Sequence, residues 1–500
     1  MADTTDQSVF DTTPNKTADA RVEDGGLDRP SWNNGGYKVM GMTLPPFRSP
    51  LVQVVLTGLV CFLCPGMFNA LSGLGAAGQQ DGTVQSNASV ALYTTFAFFG
   101  FVSGTILNIF GAPVTLAFGG FGYALYTASF LCYNHTRNDG FVIFAGAWLG
   151  ICAACLWTAQ GTVMMSYPTE GEKGRYIGLF WAIFNMGAVI GSIIPIAQNW
   201  KSVGNNPVND GTYIGFLVLM IAGAILAFFL ASPGKVIRKD GTRVQKLQHP
   251  NVMTELKGLY QTFISDPYIV LLFPLFWASN WFYTYQFNGY NLFLFNTRGR
   301  SFSNLWYWLA QIFGALAFGF FLDSQFLTRR NRAIGGWAIL MVAVMVIWGG
   351  GYTVISKYDG SERRRMGSDP PTTPNIDVKD SSYAGYVILY IFYGFLDAMW
   401  QTYAYWVMGA LSNEPRKLAY FAGFYKGIQS AGAAVVWRLD AVKTPIPALY
   451  GSSWGLCVAG MLFAAPVIWW KVTDSKITAD DYVPELQFSD ASMGANEIRI

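Results

Sequence analysis

From about residue 51 the chain alternates between apolar runs of about 20 residues, the length needed to cross a bilayer core, and short polar breaks. The runs fall at 51–75, 89–110, 113–133, 141–166, 176–198 and 212–232. After a long polar interval they resume at 267–295, 303–322, 334–356, 383–409, 417–438 and 447–470. Each is predicted to be a helix, because a lone segment in hydrocarbon satisfies its own backbone groups only in that form. The expected fold class is all-α integral membrane, with about twelve transmembrane helices in two six-helix halves. The expected boundaries are a disordered cytosolic tail over 1–47, a first half over 48–232 and a basic cytosolic central loop over 233–266. A second half spans 267–471, and a cytosolic tail follows over 472–500. The tail before the first run is polar and begins with acidic rather than basic residues, so the first span is expected to act as an uncleaved signal anchor.

Charge orients the spans. The central interval holds Lys235, Arg238, Lys239, Arg243, Lys246 and Lys257, and basic loops stay in the cytosol. Parity then puts 76–88, 134–140 and 357–382 outside. The last of these carries Arg363, Arg364 and Arg365, an exception attributed to its length and its acidic and proline content. Two glycosylation sequons, at Asn87 and Asn134, fall on the expected outer side.

Composition narrows the class further. Hydrophobic residues make up 52% of the chain and charged ones only 13%, about half the share a soluble surface needs. A net charge of +3 gives no reason to expect nucleic acid as a partner. The six cysteines lie inside apolar runs and the two histidines, His135 and His249, in loops, so no metal, cofactor or disulfide framework is expected. Residues 73–78 spell Gly-Leu-Gly-Ala-Ala-Gly at the end of an apolar span rather than after a strand. They are read as close helix packing and not as a dinucleotide fingerprint. Enzyme chemistry has no foothold.

The halves echo each other. Phe68-Asn69 recurs as Phe287-Asn288, Gly104…Asn108 as Gly319…Asp323, and Gln160 and Tyr176 as Gln401 and Tyr420. Duplicated six-span halves mark major-facilitator-like transporters. In that arrangement the first helix of each three-helix repeat lines the cavity. Asn69, Gln160, Gln286, Asn288, Asn291 and Gln401 are therefore the lining candidates. Their aromatic neighbours suit a neutral or amphipathic organic solute. Asp323 with Arg329, Arg330 and Arg332 resembles the superfamily's cytosolic loop motif and is expected to act as a gate. Asp397 and Lys426, charged in the middle of apolar runs, are the best functional pointers and are expected to pair.

Three strings carry a more specific resemblance: Tyr167 to Tyr176, Phe395-Leu-Asp-Ala-Met-Trp-Gln-Thr-Tyr-Ala-Tyr405, and Asn413-Glu-Pro-Arg to Lys426. They resemble signatures of the fungal branch of the Unc-ninety-three-like family, over about residues 48 to 471. The resemblance implies a major-facilitator fold in a eukaryotic, fungal membrane, either the plasma membrane or an endomembrane. The polar and charged lining residues and the resemblance together leave two functions to weigh. One is alternating-access transport of a small organic solute, with protons as the coupling ion. The other is the accessory role of animal relatives, which regulate an ion channel or escort a membrane-protein partner.

Overall fold

Ser49 starts the first membrane helix, α1 (Pro50–Gly73): its side chain accepts from the Val52 N–H, and Pro50 supplies a preset first turn. The same logic recurs along the chain. Asn138 caps α4 (Asp139–Ser166), and Asn209 caps α6 (Asp210–Ala227). Asn296 caps α8 (Thr297–Leu322), and Thr328 caps α9 (Arg329–Ile355). Between α1 and α4 one helical stretch, Thr83–Thr136, turns at Gly111, where φ is +75°, and so makes two spans, α2 (83–110) and α3 (112–136). The set is completed by α5 (Arg175–Asn199), α7 (267–292), α10 (Tyr383–Leu411), α11 (Pro415–Ala441) and α12 (Ile446–Lys471).

This computed structural model describes residues 37–39, 42–168, 173–204, 206–238, 243–244, 253, 257, 260, 264, 266–324, 326–358, 374–411 and 415–474. The expected tails over 1–36 and 475–500 lie outside the described residues, as do most of the central loop and 359–373. Within the tail expected to be disordered, β1 (Tyr37–Val39) and β2 (Met42–Leu44) pair antiparallel, Tyr37 opposite Leu44.

Among the described residues eight helices are long and apolar enough to cross a membrane, and the Thr83–Thr136 stretch among them counts twice. The spans that fall short are α7, α10 and α11. α7 is broken into short pieces: a 3-10 turn over Pro267–Leu272, α-helical pieces over Phe273–Ala278 and Phe282–Thr284, and a π segment over Tyr285–Leu292. The other two carry amides, tyrosines and the charges Asp397 and Lys426. The low hydropathy thus belongs to the helices that bear the chemistry.

Each half buries its own core. One apolar cluster gathers Val54, Leu116, Leu149, Phe180, Phe216 and their neighbours from α1 to α6. A second gathers Phe276, Tyr307, Trp348, Trp400 and Val467 from α7 to α12. The halves meet where α5 packs on α8 and α2 on α11. Phe98, Ile109, Val218, Phe320 and Val346 stay exposed, as helices facing lipid require. Exposed Lys201 and Lys235 lie on opposite sides of the expected topology. An impermeant maleimide is expected to label Lys201→Cys in sealed right-side-out vesicles, and Lys235→Cys only after permeabilisation. The reverse pattern would invert the topology.

Candidate functional site

Both helices that open a half carry a π segment, Phe62–Gly66 around Pro65 in α1 and Tyr285–Leu292 in α7. Wide π turns re-aim side chains and recur at functional sites. Here the first ends just before Phe68-Asn69 and the second contains Phe287-Asn288. Between the halves lies a small cavity. α1 contributes Phe68, Asn69 and Ser72 to its wall, and α2 contributes Gln85, Ser89 and Tyr93. The opposite wall is Tyr283 and Phe287 of α7, Trp308 of α8 and Trp437 of α11. None of these side chains is charged.

Asp397 lies close by and is 1% exposed. Its carboxyl accepts from the Gln311 amide, from the Tyr307 hydroxyl (3.2 Å) and from Gln401 Nε2 (3.3 Å). The same Tyr307 hydroxyl reaches Gln286 Oε1 at 2.7 Å. A phenol has one proton to give and a lone pair to accept with. With Asp397 ionised, Tyr307 can donate to it once the Gln286 carboxamide turns to present its N–H to the phenol oxygen. With Asp397 protonated, the acid donates to Tyr307 and Tyr307 donates to Gln286 Oε1. The site therefore holds either protonation state with no more than the turn of one amide.

The expected Asp397–Lys426 pair is corrected by the geometry: the two do not touch. Lys426, half-buried, lies over the Tyr405 and Tyr425 rings, 5.6 and 5.2 Å from their centroids, and donates to Gln429 Oε1 at 2.9 Å. Gln429 Nε2 donates to Gln401 Oε1 at 3.3 Å, and Gln401 Nε2 donates on to Asp397. Tyr425 also donates to Gln401, and Ser279 anchors both amides. The physical reason is desolvation. Two amides aligned head to tail solvate both charges, where a direct pair would have to strip them.

The other lining candidates separate. Gln286 and Gln401 belong to the Asp397 network and Asn69 to the cavity. Gln160, buried in α4, lies outside the cavity wall. Asn288 and Asn291 instead tie the halves together. Asn288 accepts from the Ala76 N–H (2.8 Å) and donates to Asp440 (2.9 Å), while Asn291 donates to Gly73 O (2.8 Å). They belong to a seal at the end of the bundle that charge assigns to the outside. Asn304 donates there to Ala70 O at 2.7 Å. Arg300, fully buried, donates to Gln79 O (2.8 Å), Gly78 O (3.1 Å) and Asn206 O (2.9 Å), all in the first half. The glycines of 73–78 make this approach possible: a Cβ on Gly73 would meet Asn304 Oδ1 at 2.1 Å, and Gly75, at φ +75°, lies against Phe287 O. The two halves are closed on each other at this end of the bundle.

A strap reinforces the seal. Asp377, from the expected outer loop, receives Arg298 Nη2 at 2.6 Å, while Arg298 Nη1 donates to Trp200 O across the seam. Burial pushes the Asp377 carboxyl up. The Lys379 N–H, the Asn296 amide and the Arg298 guanidinium outweigh burial and hold it below the usual carboxylate range. Such a group contributes stability above its unfolded pKa and loses it as pH falls through the lower folded value, so only acid below the ordinary Asp range loosens the strap.

The cytosolic gate is also corrected in this conformation. Asp323 is exposed at the end of α8, and the arginines reach carbonyls of their own half. Arg329 donates to Gly409 O, Arg330 to Trp469 O and Arg332 to Leu322 O. Among the described residues Asp323 is not a partner of any of the three arginines. Both sequon asparagines lie in helical turns with their side chains engaged, Asn87 by Arg438 and Asn134 by Gln79 and Asp210. The structure thus shows neither as the free loop that a glycan acceptor needs.

Sequence reasoning missed Arg298, Arg300, Asn304, Tyr307 and Asp377. A signal existed for the arginines: two cations open a span on the side where the positive-inside rule expects few.

Two packed six-helix halves around a polar-lined cavity define the class: a multi-pass membrane protein with the major-facilitator transporter fold. Solved structures agree on the fold. The crystal structure of a D-xylose-proton symporter matches with a TM-score of 0.53 at 11% identity, over 85% of this chain and 98% of that one. That of the nucleoside transporter NupG matches with a TM-score of 0.56 at 11% identity, over 83% and 99%. The sequence profile described as ion channel regulatory protein UNC-93 matches residues 84–357. A UNC93-like protein of Schizosaccharomyces pombe is 48% identical over 465 residues, 93% of this chain and 91% of that protein. UNC93-like protein 1 of Arabidopsis thaliana is 44% identical over 412 residues, 82% of this chain and 88% of that protein. The chain belongs to the UNC-93 family. These relatives carry UNC93-like or transporter names rather than names of enzyme families.

Proposed function

We propose that this protein is a secondary transporter that moves a small organic solute by alternating access, with Asp397 as the proton carrier. The observation that carries the reading is the Asp397–Tyr307–Gln286 arrangement, buried beside an uncharged cavity between the halves and able to hold a carboxyl in both protonation states. With the basic loops in the cytosol, the seal of Arg300, Asn291 and Asn304 falls on the outer side, and this reading takes the conformation described as the inward-facing one. Loading the cavity, opening the seal and protonating Asp397 from outside would complete a cycle. Purified protein in proteoliposomes is expected to accumulate a solute when the interior is made alkaline, and to stop when the gradient is collapsed. Absence of any flux across a broad solute panel would overturn the reading.

The family's description as ion channel regulators supports a second reading, an accessory subunit. That reading predicts stoichiometric co-purification with a channel and no flux of its own.

A further inference from the structure

The cavity is more selective than its size requires. Its walls are flat rings: Tyr283 and Phe287 lie 5.1 Å apart and nearly parallel at 11°, and Phe287 meets Trp308 at 6.1 Å. Of its amide and hydroxyl groups, Gln85 is already spent, donating to Ser89 Oγ at 2.9 Å and accepting from Asn288 at 3.3 Å. Trp308 Nε1 is taken by Asn304 Oδ1. The Asn69 carboxamide and the Ser72 hydroxyl are different. One turn apart on α1, both face the cavity, and neither side chain has a hydrogen-bond partner among the described residues.

We infer that this cavity binds a flat, neutral molecule whose edge places a carbonyl beside an N–H, the pattern of a lactam or a heterocyclic amide. The inference rests on the transporter reading above for its purpose, though not for its chemistry. A carboxamide offers an N–H donor next to a carbonyl acceptor, and its complement is that same pair reversed. Ser72, one turn further along α1, can donate to a second acceptor on the ligand. The aromatic walls accept any π face and so fix the plane, leaving Asn69 to fix the edge. An anion or cation would enter without a counter-charge on the wall, at the full cost of desolvation. Asp397 stands behind Tyr283, outside the lining, so the proton carrier and the ligand are neighbours and not partners.

Three probes built on one ring system test this. Carbostyril is flat and neutral with a free lactam edge, N-methylcarbostyril has that edge blocked, and quinaldate keeps the plane but is anionic. Binding is read as quenching of tryptophan fluorescence in detergent-purified protein that runs as a single species on gel filtration. Carbostyril is expected to quench saturably, N-methylcarbostyril to bind at least about tenfold more weakly, as a buried donor or acceptor left unpaired requires, and quinaldate not to compete. Asn69→Leu is expected to erase the difference between the first two. Equal binding of the two lactams by the unaltered protein, preference for quinaldate, or no binding of any probe would overturn the inference, whatever the variant does. Flux keeps the two readings apart. Carbostyril binding without flux in proteoliposomes would sink transport and leave the site standing. Gradient-driven flux of an anion by protein that ignores carbostyril would do the opposite.

Discussion

Asp397→Asn is expected to leave folding intact and abolish gradient-driven accumulation while preserving solute exchange. The substitution keeps shape and volume. The new amide places a donor where a carboxyl oxygen accepted from Gln311, but the Gln311 carboxamide can turn and present its oxygen instead. Gln401 still finds an acceptor, so the variant loses about 1 kcal/mol of hydrogen bonding and no packing. What it cannot do is carry a proton between the two arrangements of Tyr307. Counterflow exchange in proteoliposomes should therefore stay within about threefold of the unaltered protein, whereas accumulation driven by an alkaline interior should fall by more than about tenfold, the step expected of a lost essential acid. Lys426→Met, which removes the charge at the far end of the amide chain, should move the pH midpoint of transport rather than abolish it. Full gradient-driven accumulation by Asp397→Asn would remove the proton role.

Arg300→Met should be the most disruptive substitution in the molecule outside the apolar cores. The guanidinium satisfies three main-chain carbonyls of the opposite half at once, deep in the seal. Methionine fills much of the same space but strands Gln79 O, while Gly78 O keeps the Val208 N–H and Asn206 O keeps the Thr297 hydroxyl. One buried unsatisfied acceptor costs about 1–3 kcal/mol, and two further charge-assisted hydrogen bonds across the seam are lost with it, a large share of the stability of a typical domain. The expected result is a large fall in melting temperature and an outer end that no longer closes. A cysteine pair replacing Asp81 and Lys443, which bridge the same seam at 3.3 Å, reports the closure. Its oxidative cross-linking should drop several-fold in the Arg300→Met background. An unchanged melting point with unchanged cross-linking would show that the seal does not depend on this side chain. Arg300→Lys should fall between, because one ammonium cannot reproduce the planar fork.

The fold was legible because bilayer crossing imposes a coarse rule of about 20 apolar residues, and the duplicated motifs imposed an order. The cavity was half legible. Asn69 and Asp397 stand out as polar groups in apolar runs, and the first lines the cavity while the second lies buried beside it. Asn288 and Asn291 stand out equally, yet they belong to the seal. Hydropathy marks a residue as unsuited to lipid without saying how deep it lies or which half it faces, and the π segment of α7 shifts the facing of every residue after Tyr285. The Asp397–Lys426 contact failed for a related reason. Opposite charges at similar depth predict attraction, but two intervening glutamines already solvate both. The cytosolic latch failed because a sequence carries every conformation at once, and the structure holds the one in which that latch is undone.

The seal is built asymmetrically. The second half supplies side chains, Asn291, Arg300 and Asn304, whereas the first half receives them mostly through main-chain oxygens of Ala70, Gly73, Gly78, Gln79 and Asn206. A carbonyl belongs to every residue type, so an exposed position such as Asn206 can change identity without changing what it offers, while Gly73, where a Cβ would strike Asn304, cannot. The keys cannot vary, and the keyhole can wherever its side chain points away from them. Over evolutionary time the two halves of this rim are therefore free to drift at different rates: the first half can reshape its external surface around a fixed backbone path, while the second half must keep its three polar side chains to close at all.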